Sequence, residues 1–302
     1  MQGLPSLTAM KGCSGKLDNP PVPRILFEEI VRRALLEDLG EGDVTTRSCV
    51  SPEVSARARI VAKEEGLLAG LFVAEEVFRQ LDPGLVLTKR YREGEYFSPG
   101  DILLNIEGCA WSILQGERVA LNFLQRMCGI ATLARRYVDR IKGKNCRIVG
   151  TRKTTPGLRC LEKYAVRVGG GFNHRFCLSD GVLIKDNHIS ACGSVQGAIE
   201  RARANAPHTL RIEVEVTDEK ELREAISAGA DVIMLDNMSI SNMVECVKIT
   251  KKLAPHVILE ASGGVTLDNV AEISETGVDV ISSGALTHSY KSIDLSLKLN
   301  IL

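Results

Sequence analysis

The stretch LRIEVEVTDEKELREAISAGADVIMLDN, residues 210–237, decides the fold of this chain. Two short runs rich in Val, Ile and Leu, at 210–216 and 231–235, flank a helix-like stretch at 219–228. Buried parallel strands have nearly continuous apolar runs, and a helix between two of them makes a right-handed crossover. The stretch therefore predicts one strand–helix–strand unit of a parallel sheet.

The same alternation continues on both sides of this unit. Further strands are predicted at 147–150, 182–184, 257–260 and 278–281, and further helices at 242–253 and 267–276. Six or seven such units favour an α/β fold, a TIM-like barrel with fewer than eight strands. A doubly wound sheet is the alternative, but no G-x-G-x-x-G follows any of the strands.

The first 110 residues have a different, mixed α+β pattern. An amphipathic helix is predicted at 25–39, with strands at 54–63, 85–91 and 101–107; a long helix at 113–141 follows this region. The apolar stripe of the first helix consists of Ile25, Leu26, Ile30, Ala34 and Leu35. Residues 1–23 include Pro20, Pro21 and Pro23 and show no apolar period, which is typical of a disordered arm.

Composition excludes several classes of protein. Of the 302 residues, 38 are Lys or Arg and 38 are Asp or Glu, so the formal charge of +0 argues against a general nucleic-acid binder. No uncharged apolar run approaches the roughly 18 residues of a membrane span. The nine cysteines are scattered without a C-x-x-C motif, which favours a reducing, cytoplasmic location over a disulfide framework or a zinc site.

Charge is distributed unevenly along the predicted barrel. Residues 147–188 hold eight Lys and Arg against three Asp and Glu, and residues 213–236 hold two against eight. Active sites of parallel barrels lie at the carboxyl ends of the strands. Polar residues follow or end every predicted strand there: Arg152 and Lys153, Lys185, Glu213 and Glu215, Asp236, Ser262 to Gly264, and Ser283 with Gly284.

These residue types indicate a particular chemistry. The Ser/Gly turns late in the chain resemble the barrel phosphate site, in which backbone N–H groups bind a phosphate. Glu215 and Asp236 are hard oxygen donors suited to Mg²⁺ or sugar hydroxyls, whereas Arg152, Arg175 and Lys185 suit carboxylate or phosphate. The pattern predicts a barrel enzyme for a phosphorylated sugar and a second, multiply anionic substrate.

Several longer blocks carry a family resemblance. GTRKTTPGLRCLEKYAV (150–166), NHR (173–175) and LIKDNHI (183–189) resemble quinolinate phosphoribosyltransferases, also called nicotinate-nucleotide pyrophosphorylases (carboxylating). EDLGEGDVTT (37–46), GERVALNFLQRMCGIAT (116–132), IEVEV (212–216), IMLDNM (233–238) and EASGGVTLDNV (260–270) follow the order of the family. The resemblance covers about residues 25–300.

The resemblance implies the reaction and the architecture. Quinolinate and phosphoribosyl pyrophosphate give nicotinate mononucleotide, pyrophosphate and CO₂ with Mg²⁺, a step of de novo NAD biosynthesis. It also implies an open barrel of about seven strands over residues 123–288. An N-terminal α+β sandwich domain spans 24–122 and is joined by 289–302. The family resemblance further implies a homodimer with active sites shared between subunits.

The resemblance also assigns site residues. For quinolinate it implies Arg118 of the neighbouring subunit and Arg152, Lys153, His174, Arg175 and Lys185. For phosphoribosyl pyrophosphate it implies Lys153, Lys185, Glu215, Asp236, Ser262, Gly263, Gly264, Ser283, Gly284 and His288. Lys153, Lys185, Glu215 and Asp236 are the expected catalytic residues, and Glu215 and Asp236 the expected Mg²⁺ ligands. Lys153 is the first candidate proton donor after decarboxylation, with His174 and water as alternatives.

Three other functions remain open from the sequence. A phosphoribosyltransferase paralogue would share the fold without the decarboxylation. An aldolase-like barrel would use Lys185 as a Schiff-base nucleophile, although the cations and polar groups around it argue against this chemistry. A non-catalytic ligand-binding protein would keep the fold but not the reaction.

Overall fold

The computed structural model describes residues 22–302. The arm predicted at 1–23 therefore lies outside the described residues except for Val22, which is buried, and Pro23. The helices are α1 (Glu28–Leu39), α2 (Val44–Cys49), α3 (Leu71–Leu81), α4 (Ala110–Arg140), α5 (Arg159–Val168), α6 (Asp186–Cys192), α7 (Val195–Asn205), α8 (Glu219–Ser227), α9 (Ile240–Leu253), α10 (Val270–Glu275) and α11 (Ala285–His288).

The strands belong to three sheets. They are β1 (Ser55–Ala62), β2 (Gly66–Leu67), β3 (Val86–Lys89), β4 (Tyr96–Phe97), β5 (Ile102–Cys109), β6 (Arg147–Gly150), β7 (Phe172–Asn173), β8 (Val182–Ile184), β9 (Ile212–Val216), β10 (Val232–Asp236), β11 (Ile258–Ser262), β12 (Val280–Ser283) and β13 (Leu295–Ile301).

The largest sheet is an open parallel barrel of seven strands. Its order is β7-β6-β12-β11-β10-β9-β8, and every neighbouring pair is parallel. Helices connect most successive strands, which is the crossover that parallel pairing requires. The sequence-based prediction of an open α/β barrel of about seven strands is confirmed.

The strand ends differ slightly from the predicted ones. β6 and β8 have the predicted bounds, whereas β11 and β12 each end two residues later, at Ser262 and Ser283. The ladder continues because Ala261 and Ser262 pair with Leu235 and Asp236 of β10. β7 was absent from the prediction, since two residues are too short a run to carry a periodic signal.

The N-terminal sheet is antiparallel and has the order β13-β1-β5-β3. β13 returns from the end of the chain and pairs with β1 along its whole length, from Ala56 opposite Ile301 to Ala62 opposite Leu295. Helix α4 packs against this sheet and also against β6 and α5 of the barrel. Position 122 falls inside α4, so the predicted boundary at 122/123 lies within one continuous helix.

The predicted stripe of the first helix was wrong in part. Ile25 and Leu26 lie in a 3₁₀ turn before α1 and are exposed, whereas Ile30, Ala34 and Leu35 pack on the core together with Phe27 and Val31. α3 was not predicted, because its buried face includes two acids, Glu75 and Glu76, which interrupt the apolar pattern. Lys89 and Arg24 pair with these two carboxylates and make their burial tolerable.

Candidate active site

A cleft of about 780 Å³ opens at the carboxyl edge of the barrel strands. All the predicted site residues of the barrel line it: Arg152, Lys153, His174, Arg175, Lys185, Glu215, Asp236, Ser262, Gly263, Gly264, Ser283, Gly284 and His288. Arg118 lies on α4, is exposed and does not line the cleft of its own chain in the described part of the structure. The barrel thus gathers residues that are far apart in sequence.

The loop after β6 brings Arg152 and Lys153 into the cleft. The Thr287 hydroxyl donates to the Lys153 carbonyl at 2.7 Å and fixes the loop against α11. Further along, the fully buried Glu162 of α5 accepts the Thr155 N–H at 3.1 Å and pairs with Arg126 of α4. The loop that carries Arg152 and Lys153 is therefore held by α11 at one point and by α5 at another.

Arg175 is the second arginine of the cleft. Its Nη1 donates to the Gly181 carbonyl at 2.8 Å, and burial together with the charge of Arg152 lowers its pKa. Within residues 22–302, the buried Nε atoms of Arg152 and Arg175 have no hydrogen-bond partner. Buried guanidinium N–H groups without a partner are costly, and a bound carboxylate would satisfy them.

His174, Glu213 and Glu260 form a largely buried group whose mutual contacts the sequence prediction did not include. His174 Nε2 lies 2.8 Å from Glu213 Oε2, and its Nδ1 accepts the Arg175 N–H at 2.9 Å. Burial and the charge of Glu213 raise the pKa of Glu260 to about 7. The alternation in IEVEV already placed Glu213 on the same inward face as Glu215, but its burial and its partner were not visible.

The ligand atoms of this His–Glu–Glu group lie within 4.8 Å of one another, so the group could also ligate a metal. Burial lowers the pKa of His174, but the hydrogen bond to Glu213 and the two carboxylate charges outweigh burial and raise it overall. The bond from the Arg175 N–H requires a lone pair on Nδ1, and it therefore forms with the neutral ring protonated at Nε2. In this arrangement both ring nitrogens of His174 are engaged within the protein.

The acidic side of the cleft is formed by Glu215 and Asp236, which lie on the neighbouring strands β9 and β10. Lys185 is paired with Glu215 and is about half exposed. A Schiff-base lysine needs a neutral amine, which an apolar pocket provides and an adjacent carboxylate opposes. The setting of Lys185 therefore disfavours the aldolase-like alternative.

Turns that contain glycine form the third side of the cleft, at Gly263, Gly264 and Gly284. Gly263 and Gly264 have left-handed φ values of +89° and +60°, which side chains other than glycine rarely adopt. At Gly284, a Cβ would lie 2.7 Å from Lys153 Cδ and 2.9 Å from His288 Nε2, so a larger residue would have to displace these side chains. The prediction did not include the cleft residues Thr151, Leu183, Met234, Asn237, Glu260, Val265, Thr266, Ser282, Ala285 and Ser289.

The fold and the cleft define a class: an α/β-barrel protein whose strand ends gather cations, acids and glycine turns in one cleft. Comparison with known proteins makes the class specific. The family models "Quinolinate phosphoribosyl transferase, N-terminal domain" and "Quinolinate phosphoribosyl transferase, C-terminal domain" match residues 43–128 and 130–298. The chain belongs to the quinolinate phosphoribosyltransferase family.

Individual relatives cover nearly the whole chain. A probable nicotinate-nucleotide pyrophosphorylase [carboxylating] of Bacillus subtilis (strain 168) is 46% identical over 91% of this chain and 94% of its own length. A protein of the same description from Methanocaldococcus jannaschii is also 46% identical, over 90% and 96%. The crystal structure of NadC from Streptococcus pyogenes superposes with a TM-score of 0.89 at 41% identity, covering 94% of this chain and all of that one.

The structure also bears on membrane association. Within residues 22–302, no helix combines the length and the apolar character that crossing a bilayer requires.

Proposed function

We propose that this chain catalyses the decarboxylating transfer of a phosphoribosyl group to quinolinate. The products are nicotinate mononucleotide, pyrophosphate and CO₂. The observation that carries the proposal is the composition of the cleft: Arg152, Lys153, Arg175 and Lys185 supply the cations, while Glu215 and Asp236 supply acids in addition to the buried Glu260. Such a composition suits one substrate with two carboxylates and another with ribose hydroxyls and phosphates.

Quinolinate fits the arginine end of the cleft. Its two adjacent carboxylates match the planar forks of Arg152 and Arg175, whose buried Nε groups have no partner in the described structure. Arg is better suited than Lys here because a guanidinium binds a carboxylate through two parallel hydrogen bonds. Lys153 adds a third positive charge nearby. His174 lines the same part of the cleft, and its Nδ1 accepts the Arg175 N–H.

Phosphoribosyl pyrophosphate fits the opposite end. The 262–264 turn and the Ser283–Gly284 end of β12 are suited to the 5′-phosphate, with His288 beside them. Asp236 and Glu215 are suited to the ribose hydroxyls, and both present hard oxygen donors of the kind Mg²⁺ takes alongside substrate phosphates. When bound, Mg²⁺ would neutralise the pyrophosphate leaving group, with Glu215 and Asp236 as its protein ligands, either directly or through water.

The reaction needs no side-chain nucleophile. As pyrophosphate leaves, the anomeric carbon gains oxocarbenium character and the pyridine nitrogen attacks it, so the protein contributes positioning and charge stabilisation. The cationic ring then lets the carboxylate next to the nitrogen leave as CO₂, and the ring carbon accepts a proton. Lys153 is our first candidate donor because it is exposed to the cleft, whereas both ring nitrogens of His174 are already engaged.

The proposal is tested by incubating the protein with quinolinate, phosphoribosyl pyrophosphate and Mg²⁺ while CO₂ and pyrophosphate are followed. We expect both products in equal amounts, and neither when quinolinate is omitted. Nucleotide formation from nicotinate without CO₂ would contradict the proposal and favour a paralogue that lacks the decarboxylation. Borohydride trapping of a covalent adduct on Lys185 would instead favour the aldolase-like alternative.

Two sets of variants test the assignment of each end. Glu215→Ala and Asp236→Ala should mainly impair the use of phosphoribosyl pyrophosphate and Mg²⁺. Normal dependence of the activity on Mg²⁺ in both variants would contradict the assignment of these two acids. Arg152→Lys should raise the quinolinate KM or lower kcat, since Lys cannot offer a planar fork. Unchanged quinolinate kinetics in this variant would argue against a direct contact.

We further propose that the protein acts as a homodimer in the cytoplasm. Arg118 motivates the dimer because it is exposed on α4, outside the cleft of its own chain, whereas the family resemblance assigns it to quinolinate. The described cysteines are free thiols, and Cys128 and Cys246 are buried, which suits a reducing compartment. Cell fractionation of the tagged protein tests the location, and recovery with a membrane or secreted fraction would contradict it.

A further inference from the structure

Asn237 has a backbone conformation that sets it apart. Its φ is +52°, and among residues 22–302 it is the one non-glycine residue with a positive φ. The left-handed region is unfavourable for L-residues, although Asn tolerates it better than most. Such conformations persist where the surroundings enforce them, and they cluster at functional sites. Asn237 also lines the cleft.

Three contacts hold Asn237 between two parts of the site. Its N–H donates to the Ser262 carbonyl at 2.9 Å, and its Nδ2 donates to Asp236 Oδ2 at 2.8 Å. Its Oδ1 lies against Gly263, where a Cβ would be only 2.2 Å away. One residue therefore contacts the acid at the end of β10 and the glycine turn after β11.

We propose that Asn237 is a positioning residue that holds the Asp236 carboxylate and the 262–264 turn in one fixed relation. This inference rests on the proposed function, in which these two elements bind the ribose and the 5′-phosphate of the same substrate. The bond from Nδ2 fixes the rotation of the Asp236 carboxyl group. The left-handed backbone brings the amide over Gly263, a turn that two glycines would otherwise leave conformationally free.

The first test uses two variants that keep the left-handed backbone accessible. Asn237→Gly removes the amide, and Asn237→Asp keeps the shape but replaces the donor with a carboxylate beside Asp236. A hydrogen bond to a charged group contributes about 1.5–3 kcal/mol, so we expect the KM for phosphoribosyl pyrophosphate to rise roughly tenfold or more in Asn237→Gly. In Asn237→Asp the KM for phosphoribosyl pyrophosphate should rise at least as much, because two carboxylates then lie side by side. The quinolinate KM should stay within about twofold of wild type in both variants.

Thermal unfolding and calorimetric binding of phosphoribosyl pyrophosphate accompany the kinetics. A merely structural role would lower the unfolding temperature and affect both substrates alike. We expect unfolding temperatures near wild type, because glycine accepts a positive φ without strain. An unchanged KM and affinity for phosphoribosyl pyrophosphate, or an equal rise in both KM values, would overturn the inference.

The second test is a double-mutant cycle with Gly263→Ala. The Cβ added by Gly263→Ala meets Asn237 Oδ1. Gly263→Ala should therefore weaken the affinity for phosphoribosyl pyrophosphate clearly less in the Asn237→Gly background than in the wild type. Gly264→Ala is the control: Gly264 also has a left-handed φ, +60° against +89° at Gly263, but a Cβ there meets no atom of the described residues within 4 Å. We expect the losses of affinity caused by Gly264→Ala and Asn237→Gly to add. Additivity in both cycles would overturn the inference.

These outcomes are distinguishable from failure of the proposed function. If the wild-type protein releases no CO₂ from quinolinate, the reaction assigned to the chain is wrong. Calorimetry with phosphoribosyl pyrophosphate alone still tests whether Asn237 organises its site.

Discussion

Buried charged side chains support the cleft at the scale of single residues. Glu162 is fully buried, and its carboxylate accepts from Arg126 Nε at 2.9 Å and from the Thr155 N–H at 3.1 Å. Arg126 in turn lies over the Tyr290 ring, 5.1 Å from its centroid. Because Thr155 belongs to the loop that carries Arg152 and Lys153, the Glu162–Arg126 pair supports the cationic side of the site.

Glu162→Gln should lower the free energy of unfolding by about 3 kcal/mol, since breaking a buried pair leaves an uncompensated buried charge on Arg126. Urea denaturation measures the change. The control is Glu245→Gln, which removes an exposed pair with Lys248 on α9 and should change stability by less than about 1 kcal/mol. Equal effects of the two substitutions would contradict the prediction.

Lys163 is a second buried charge next to the site. Its Nζ donates to the His174 carbonyl at 2.8 Å and to the Gly150 carbonyl at 3.4 Å. Burial, and then the charge of Arg159, lower the pKa of Lys163 from its ordinary 10.5 to about 8. Between these two values the folded protein binds fewer protons than the unfolded chain, so this residue contributes increasing stability as pH rises.

Lys163→Met should remove that contribution. The stability of the wild type relative to Lys163→Met should therefore increase from pH 8 to pH 10.5, by at most ~1.4 kcal/mol per pH unit. Unfolding curves of both proteins across this range measure it. Lys248→Met, at an exposed lysine of α9, should show no such dependence. A pH-independent difference for Lys163→Met would show that Lys163 titrates normally.

Helix α4 connects the two sheets at the scale of secondary-structure elements. It packs on β1, β5 and β13 at one side and on β6 and α5 at the other. Gly129 lies in the middle of the helix at a close approach, where a Cβ would be 2.4 Å from the Lys291 carbonyl oxygen. Lys291 belongs to the segment that leads from α11 to β13, so this contact places the returning strand.

Gly129→Ala should destabilise the protein by about 1–3 kcal/mol, because the added methyl must displace the backbone before β13. Helix propensity alone predicts the opposite sign, a gain of about 1 kcal/mol. Denaturant unfolding decides between these signs, and hydrogen exchange should show reduced protection in β13. Arg136→Ala, at an exposed position of the same helix, is the control and should stay within about 0.5 kcal/mol of wild type. Stabilisation by Gly129→Ala would refute the close contact.

Arg118 raises a question at the scale of the whole molecule. It is exposed and lies outside the cleft of its own chain, although the family resemblance assigns it to quinolinate. In a two-fold dimer, sharing is reciprocal, and each chain would lend Arg118 to the other. The cleft and Arg118 would then act together in the assembled dimer.

Mixing two inactive variants tests this arrangement. A heterodimer of Arg118→Ala and Asp236→Ala chains would hold one complete site, made of the barrel of the first and the arginine of the second. If chains exchange freely, about half of the dimers are mixed, and roughly a quarter of full activity should return. No recovery in samples that demonstrably exchange subunits would place Arg118 within its own chain.

The barrel could be predicted from local patterns. Strands such as β6 and β8 were predicted with their observed bounds, because a buried parallel strand is a continuous apolar run that needs no knowledge of its neighbours. Glu215, Asp236 and the glycine turns could be assigned to one edge for the same reason: parallel strands all end at that edge. The family resemblance then connected these residues with particular substrates.

The group of His174, Glu213 and Glu260 could not be predicted in this way. His174 and Glu213 are 39 residues apart, and a glutamate in a strand is normally solvated unless a partner from elsewhere in the fold compensates its burial. The contact of Asn237 with Gly263 likewise depends on the pairing of β10 with β11. Periodicity reports which face a residue occupies, whereas the partner across that face depends on how distant strands and helices pack.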